Sequence, residues 1–159
     1  MIEYVDSLEY FDGTKFINSP RPEGTPQPGR ENQWDGLVRG AGPPPIKTNF
    51  GWLLLYHAID IREPGKYKLG AMILDAQNPT HVLYRTPHPI LSPDEVYENN
   101  GKPGVVYASG AVIKNDHLYV YYGGADRVTC VATAPLDEFL AYVRSGKTKN
   151  VYHLKKASV

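Results

Sequence analysis

The sequence predicts an all-β fold made of repeated strand–turn–strand units. Glycine and proline are abundant, with 15 and 14 copies among 159 residues, as is typical of short strands joined by many turns. The segment GAGPPPIKTNFGWLLLYHAID (40–60) reads as strand, polar turn and strand, and GAVIKNDHLYVYYGGAD (110–126) repeats that pattern. Two such units resemble consecutive blades of a β-propeller. The polar ends of the two units, His57 and Asp126, would then point towards a shared central site.

Residues 35–87 are predicted to form one complete four-stranded blade. Its strands are expected at Ala41–Thr48, Trp52–Ile61, Lys66–Asp75 and His81–Thr86. A tight turn is predicted at Asn49-Phe50-Gly51, because Asn and Gly tolerate positive φ. The run WLLLYHAID is nearly continuously apolar, which indicates a strand buried on both faces.

Residues 104–159 are predicted to form the last blade, after a proline-rich connector at Thr86–Gly104. Its strands are expected at Val105–Lys114, His117–Gly123 and Val128–Thr133, with NVYHL (150–154) as a fourth strand at the edge. A short helix is predicted at Pro135–Arg144. Proline suits a first helical turn, and one apolar stripe contains Leu136, Phe139, Leu140 and Val143.

Residues 1–34 are predicted to contain the end of an earlier blade, with β-like pieces IEYVDS and TKFI, followed by a loop rich in proline and glycine at Asn18–Gln33. The chain 1–159 is thus predicted to be a single partial domain of about two and a half blades, whereas a closed ring needs about four to eight. An open arc leaves blade faces and strand edges bare, which favours association with a missing propeller half or with a second copy. A two-sheet β-sandwich is the alternative that composition leaves open.

Composition and charge argue against several classes of protein. Net charge is zero and no Lys/Arg run is present, so we expect no nucleic-acid partner. The apolar run Trp52–Tyr56 is too short for a bilayer, and the N-terminus lacks signal-peptide features, so a cytoplasmic protein without membrane association is expected. The single cysteine, Cys130, and the absence of HxH or HExxH patterns predict no disulfide, no metal site and no cofactor.

Several long motifs occur in the order and spacing of one enzyme family. They are GAGPPPIKT (40–48), GWLLLYHA (51–58), YKLGAMILD (67–75), VLYRTPHPIL (82–91), SGAVIKNDHLYVYYGGAD (109–126) and VATAPLDEFL (131–140). With these motifs the chain resembles glycoside hydrolase family 130, the β-mannoside or β-1,4-mannooligosaccharide phosphorylases. The resemblance covers nearly all residues beyond Trp34 and places them in the C-terminal half of a five-bladed propeller with its site in a central funnel.

The resemblance implies inverting phosphorolysis. Inorganic phosphate, as co-substrate, attacks a β-mannoside oligosaccharide and α-mannose 1-phosphate is released. The family's general acid is an aspartate of the N-terminal half, so the resemblance implies no catalytic residue in this chain and an incomplete site. Catalysis by this chain alone is therefore left open, and two alternatives remain: a non-catalytic module that binds a mannoside or phosphate, and a β-mannoside hydrolase.

The resemblance also implies site residues. Lys47, in PPIKT, would line the phosphate site, where a compact charge with three donors suits an anion. His57 would contact phosphate or sugar, and Asp126, after two glycines, would accept hydrogen bonds from sugar hydroxyls. An ordinary surface lysine, a core histidine and a turn-capping aspartate are the structural alternatives.

Two further candidates follow from the residues themselves. Arg39 precedes Gly40-Ala41-Gly42 and would reach a phosphate with two parallel hydrogen bonds, or form a surface ion pair. Tyr121 and Tyr122 alternate in one strand, so one faces the core. Tyr122 is the candidate for sugar binding.

Overall fold

The protein is described by a computed structural model, in which residues 9–11, 16–18, 27–79, 81–145 and 155–156 are placed. The described part is mostly β, as the sequence predicts, with a short 3-10 helix and one α-helix. Its strands are β1 (Glu9–Phe11), β2 (Phe16–Asn18), β3 (Gln27–Pro28), β4 (Leu37–Ala41), β5 (Ile46–Thr48), β6 (Gly51–Ile59), β7 (Tyr67–Leu74), β8 (Val82–Arg85), β9 (Val106–Lys114), β10 (His117–Gly124), β11 (Val128–Pro135) and β12 (Lys155–Lys156). The 3-10 helix is Val96–Glu98 and the α-helix, α1, is Leu136–Ser145.

The strands form two larger sheets and a small hairpin. The first sheet has the order β3-β4-β6-β7-β8, with β5 also paired to β6, and the second has the order β12-β11-β10-β9. Strands β1 and β2 form the separate hairpin. All pairs within the sheets are antiparallel. The two sheets meet where Tyr67 forms an isolated parallel bridge with Val105.

Two of the tight turns follow the predicted chemistry. Strands β5 and β6 join at Asn49 and Phe50, and Gly51 has a φ of 125° that favours glycine. Strands β9 and β10 join at Asn115 and Asp116, whose φ values are 49° and 59°. Positive φ at both central residues matches the right-handed twist of a hairpin, which explains the choice of Asn and Asp there.

One core lies between the two sheets and α1. Strands β6 and β7 contribute Leu53, Leu55, Leu69 and Ile73, and the second sheet contributes Val106, Leu118 and Val120. The helix adds Phe139, Leu140, Tyr142 and Val143, which include three residues of the predicted apolar stripe. A smaller cluster covers the opposite face of the first sheet and contains Trp34, Tyr56, Ala58, Met72 and Leu74. The β6 strand is therefore packed on both faces, as its continuous apolar run predicts.

The predicted strand Ala41–Thr48 is wrong in its extent. The structure has two short strands there, β4 and β5, both paired to β6, with Gly42–Pro45 between them. Prolines 43–45 lack the N–H groups that a continuous ladder requires, so pairing stops and restarts around them. The predicted edge strand at 150–154, and residues 19–26 of the loop predicted at Asn18–Gln33, lie outside the described residues.

The α-helix has only ten residues. Within the placed segments, no helix is long and apolar enough to cross a membrane.

Candidate functional site

A cavity of about 390 Å³ lies where the two sheets meet. The first sheet supplies Arg39 from β4 and Tyr67 from the start of β7, and the second supplies Tyr107 from β9. Lys102 and Val105 come from the connection before β9, and Asp126 comes from the turn between β10 and β11. Two cations, one carboxylate and two phenol rings therefore surround one volume.

A bulge in β4 directs Arg39 into this cavity. Val38 pairs with Ala58 and Gly40 with His57, so Arg39 is the extra residue at the shift in register. Bulges redirect side chains and are common next to functional sites. Arg39 donates a hydrogen bond to the Tyr67 hydroxyl, which partly offsets the increase in the Tyr67 pKa caused by burial.

The turn that carries Asp126 has a left-handed backbone. Ala125 and Asp126 have φ values of 53° and 54°, a region that few non-glycine residues adopt. The Asp126 side chain is 54% exposed, and its Oδ2 lies 3.6 Å from the Lys102 Nζ. A solvated pair at that distance is weak, so a ligand hydroxyl can replace the ammonium group at little cost.

His57 lies behind the cavity wall rather than in it. Its ring stacks on Tyr107 at 4.5 Å between centroids and on Tyr67 at 5.3 Å. Its Nε2 accepts a hydrogen bond from the Ala108 N–H at 2.9 Å, and the ring also hydrogen-bonds to the backbone of Ala41. Burial lowers the pKa of His57 to about 4, so the ring is neutral at pH 7. Its predicted contact with phosphate stays a prediction.

Lys47 and His57 are on opposite faces of the first sheet. Lys47 pairs with Trp52, and its Nζ lies 5.7 Å from the centre of the Trp52 ring. Trp52 and His57 are five residues apart in β6, so their side chains alternate to different faces and lie roughly 16 Å apart along the strand. The structure thus brings Arg39 and Asp126 to one cavity and does not bring Lys47 there. A phosphate role for Lys47 stays a prediction.

Tyr121 and Tyr122 face opposite sides of β10, as alternation predicts. Tyr122 is buried, and its hydroxyl donates a hydrogen bond to Glu98 at 2.9 Å, while Tyr121 is 44% exposed. Burial and the bonds to Tyr97 and Glu98 raise the pKa of Tyr122. In this arrangement the Tyr122 hydroxyl is hydrogen-bonded to a buried carboxylate. The predicted sugar contact of Tyr122 stays a prediction.

Sequence reasoning missed Tyr67, Tyr107 and Lys102, which line the cavity. Tyr67 and Tyr107 stand at strand starts with no pattern that separates them from the chain's other tyrosines. Lys102 lies in the connector segment NNGKPG, which reads as an ordinary loop. Their position next to Arg39 depends on how the two sheets pack, and no local pattern reports that. Among the placed residues, no group of three His, Cys, Asp or Glu side chains is arranged to hold a metal ion.

Residues 12–145 match the family profile described as β-1,4-mannooligosaccharide phosphorylase. The chain therefore belongs to glycoside hydrolase family 130, in agreement with the motifs between Gly40 and Leu140. The fold is mostly β, and the match identifies the family to which this fold belongs.

Similar proteins include phosphorylases named for β-1,2-linked mannosides. The 1,2-β-oligomannan phosphorylase of Thermoanaerobacter sp. (strain X514) is 42% identical over 132 residues, which are 82% of this chain and 41% of that protein. The structure of β-1,2-mannobiose phosphorylase from Listeria innocua, solved with β-1,2-mannobiose, is 40% identical with a TM-score of 0.66, over 75% of this chain and 33% of that one.

A second solved structure comes from a family of mannoside phosphorylases that contains glycoside hydrolases targeting β-1,2 mannosidic linkages in Candida mannan. It is 30% identical with a TM-score of 0.59, over 70% of this chain and 33% of that one. The chain thus spans well under half the length of each of these three relatives.

Proposed function

We propose that this chain contributes the sugar- and phosphate-binding part of an inverting β-mannoside phosphorylase. The observation that carries the proposal is that Arg39 and Asp126 line the same cavity in a chain that belongs to family 130. A guanidinium binds phosphate oxygens with paired donors, and a carboxylate accepts hydrogen bonds from sugar hydroxyls. The two side chains supply the two kinds of recognition that the reaction requires.

The exposed ring of Tyr107 fits this role. It is 47% exposed and rests on the neutral His57 ring in a nearly parallel stack, with an interplanar angle of 7°. Aromatic rings offer large contact area with few rotatable bonds. In the proposed complex the sugar lies between the Tyr107 ring and the Asp126 carboxylate. His57 affects phosphate binding indirectly, because it stacks on Tyr67 and Tyr67 is hydrogen-bonded to Arg39.

Binding without turnover is the second candidate function. Asp126 is the only carboxylate among the residues that line the cavity, and glycosidic cleavage needs an acid for the leaving oxygen as well as groups that hold the sugar. If Asp126 holds the sugar, the described residues that line the cavity lack that acid. The proposed enzyme then acquires it from a part of the family fold that these residues do not include.

We also propose that the two sheets are neighbouring blades of the family's five-bladed propeller. Each is an antiparallel sheet with consecutive strands side by side over β6-β7-β8 and β9-β10-β11, and they pack face to face through one core. The cavity lies at the bridge between Tyr67 and Val105, where propeller blades would face a central channel.

The direct test of the reaction is an NMR assay of the purified chain with phosphate and a mannobiose. Both β-1,2- and β-1,4-mannobiose should be tried, because the family description and the similar phosphorylases name different linkages. Formation of α-mannose 1-phosphate, lost in Asp126→Ala, would show a self-sufficient phosphorylase. Free mannose without the phosphate ester would indicate hydrolysis. Binding without either product supports the second candidate.

Phosphate binding is tested separately by replacing single cations. We expect Arg39→Gln to weaken phosphate binding about tenfold, since one charge-assisted hydrogen-bonded pair is lost. Arg144→Gln, at the end of α1 and stacked on Phe50, is the matched control. Lys47→Ala tests the predicted role of that lysine. A phosphate affinity that falls for Lys47→Ala but not for Arg39→Gln would move the phosphate site to the other face of the sheet.

A further inference from the structure

The connection between β8 and β9 (residues 86–105) is bonded to the turn that carries Asp126. The Lys102 N–H donates to the Ala125 carbonyl at 2.9 Å, and the Ala125 N–H donates to the Val105 carbonyl at 3.0 Å. A Cβ on Gly101 would lie only 2.5 Å from the Ala125 carbonyl oxygen, so the two segments are in close contact. The turn and the connection therefore cannot shift independently.

Glu98, at the end of the 3-10 helix, is the buried acid of this connection. Its side chain is fully buried. One carboxylate oxygen accepts a hydrogen bond from the Glu95 N–H at 2.9 Å, and the other accepts from the Tyr122 hydroxyl at 2.9 Å. The Tyr122 hydroxyl also lies 3.3 Å from that of Tyr97. A buried carboxylate is costly unless its oxygens accept hydrogen bonds, so these bonds fix Glu98 in one place.

Glu98 also supports the backbone just before Asp126. A Cβ on Gly124 would lie 3.3 Å from the Glu98 Cγ and 3.4 Å from the Tyr97 Cδ2. Gly124 is followed directly by Ala125 and Asp126, which both have the left-handed backbone described above. Such conformations persist where their surroundings determine them. The side chains of Glu98 and Tyr97 both lie against β10 at Tyr122 and Gly124, and Glu98 is the one whose carboxylate accepts the Tyr122 hydrogen bond.

We propose that Glu98 is a positioning residue for the sugar side of the cavity. Through Tyr122 and Gly124 it holds the left-handed turn that presents the Asp126 carboxylate, and it does not itself touch substrate. Its effect on sugar binding rests on the proposed function. Its effect on the geometry of the turn rests on the contacts alone, so the two can be tested apart.

Four variants separate positioning from general stability. Glu98→Ala removes both accepting oxygens and the contact with Gly124. In Glu98→Gln the carbonyl accepts from the Glu95 N–H and the amide donates to the Tyr122 oxygen, so this variant should restore the turn. Tyr122→Phe removes only the hydroxyl that links Glu98 to β10. Asp94→Asn, an exposed residue of the same connection, is the control for loss of one negative charge.

Two measurements are made on each variant of the full chain: the amide NMR resonances of Ala125 and Asp126, and titrations with the mannobioses and with phosphate. We expect Glu98→Ala and Tyr122→Phe to move those resonances and to weaken mannobiose binding about tenfold while phosphate binding changes less than about twofold. Glu98→Gln and Asp94→Asn should match the wild type in both. A general loss of structure would instead lower both affinities together.

The proposal is overturned if Glu98→Ala keeps the wild-type resonances of Ala125 and Asp126, or if sugar and phosphate affinities fall equally. If Glu98→Ala does not fold, Tyr122→Phe and Glu98→Gln decide by the same criteria. If the wild type binds neither mannobiose, the proposed function fails. The NMR resonances then still decide whether Glu98 holds the turn.

Discussion

At the scale of single residues, His57 connects the two sheets by holding a neutral ring between them. Its Nε2 accepts from the Ala108 N–H of β9, and its ring stacks on both Tyr67 and Tyr107. A proton on Nε2 would meet the N–H donor of Ala108, and burial opposes the charge in any case. The neutral state of one imidazole is thus part of the contact that forms the cavity.

This state makes folding stability depend on pH. The pKa of His57 falls from an ordinary value near 6.5 when unfolded to about 4 when folded, so between these values the unfolded chain binds the extra proton. The neutral His57 ring therefore stabilises the fold fully above about pH 6.5, and this stabilisation is lost as the pH falls towards 4. The free energy of unfolding falls by up to roughly 3 kcal/mol over that range. Urea unfolding at several pH values measures it.

The control is His57→Gln, which removes the titrating group from the same position. We expect this variant to be less stable at pH 7 but to show a shallower dependence between pH 4 and 6.5. If the wild type and His57→Gln have equal slopes in that window, the histidine is not the responsible group.

At the scale of elements, the segment before β4 is fixed to the first sheet by Trp34 and Asp35. Trp34 stacks on Tyr56 at 5.8 Å, and the Tyr56 hydroxyl donates to the buried Asp35 carboxylate at 2.7 Å. Arg30 adds an ion pair with Asp35 at 3.0 Å. A buried carboxylate with both a hydroxyl and a guanidinium partner holds this segment over β7.

Gly70 of β7 provides the space for this packing. A Cβ there would lie 2.5 Å from the Trp34 ring and 2.8 Å from the Tyr56 ring, closer than atoms can pack. We therefore expect Gly70→Ala to reduce the free energy of unfolding by about 1–3 kcal/mol, as overpacking does. Thermal and urea unfolding measure it.

Gly65→Ala is the matched control, because a Cβ at Gly65 meets no atom within 4 Å. Equal stability of the two alanine variants would show that Trp34 does not pack on Gly70 as described.

Much of this element structure could be predicted from the sequence, because its signals are local. The hairpin turns at Asn49-Phe50-Gly51 and Asn115-Asp116 carry residues that tolerate positive φ, and α1 has an apolar stripe with helical period. The break between β4 and β5 was missed although prolines 43–45 are a local signal for it. The bulge at Arg39 was not predicted, because register depends on the partner strand. For the same reason Tyr107 and Glu98 gave no signal: their roles come from contacts between distant segments.

At the scale of the whole molecule, the second sheet leaves one face open to solvent among the described residues. Val112 of β9 is 45% exposed and Tyr121 of β10 is 44% exposed, while the opposite face of this sheet is the core. Tyr121 pairs with Gly110 and Val131, so the face is apolar across three strands. In the proposed propeller, a further blade covers this face.

We predict that the isolated chain associates through this face in a second copy. Exposed apolar patches of this kind favour association, and a net charge of zero offers no general repulsion. Tyr121→Lys should shift the protein towards monomer in analytical ultracentrifugation, with little change in unfolding temperature. Tyr84→Lys, at an exposed tyrosine of β8, is the control. Association that persists in Tyr121→Lys would place the contact elsewhere.

The central claim is that the cavity between the two sheets binds a β-mannoside and phosphate through Asp126 and Arg39. The most direct measurement is an amide NMR titration of the chain with each mannobiose and with phosphate, repeated for Asp126→Asn. We predict that sugar shifts the resonances of Tyr107, Ala125 and Asp126, that phosphate shifts those around Arg39, and that Asp126→Asn loses the sugar response alone. Shifts confined to the Trp52 region, or an unchanged sugar response in Asp126→Asn, would contradict the account.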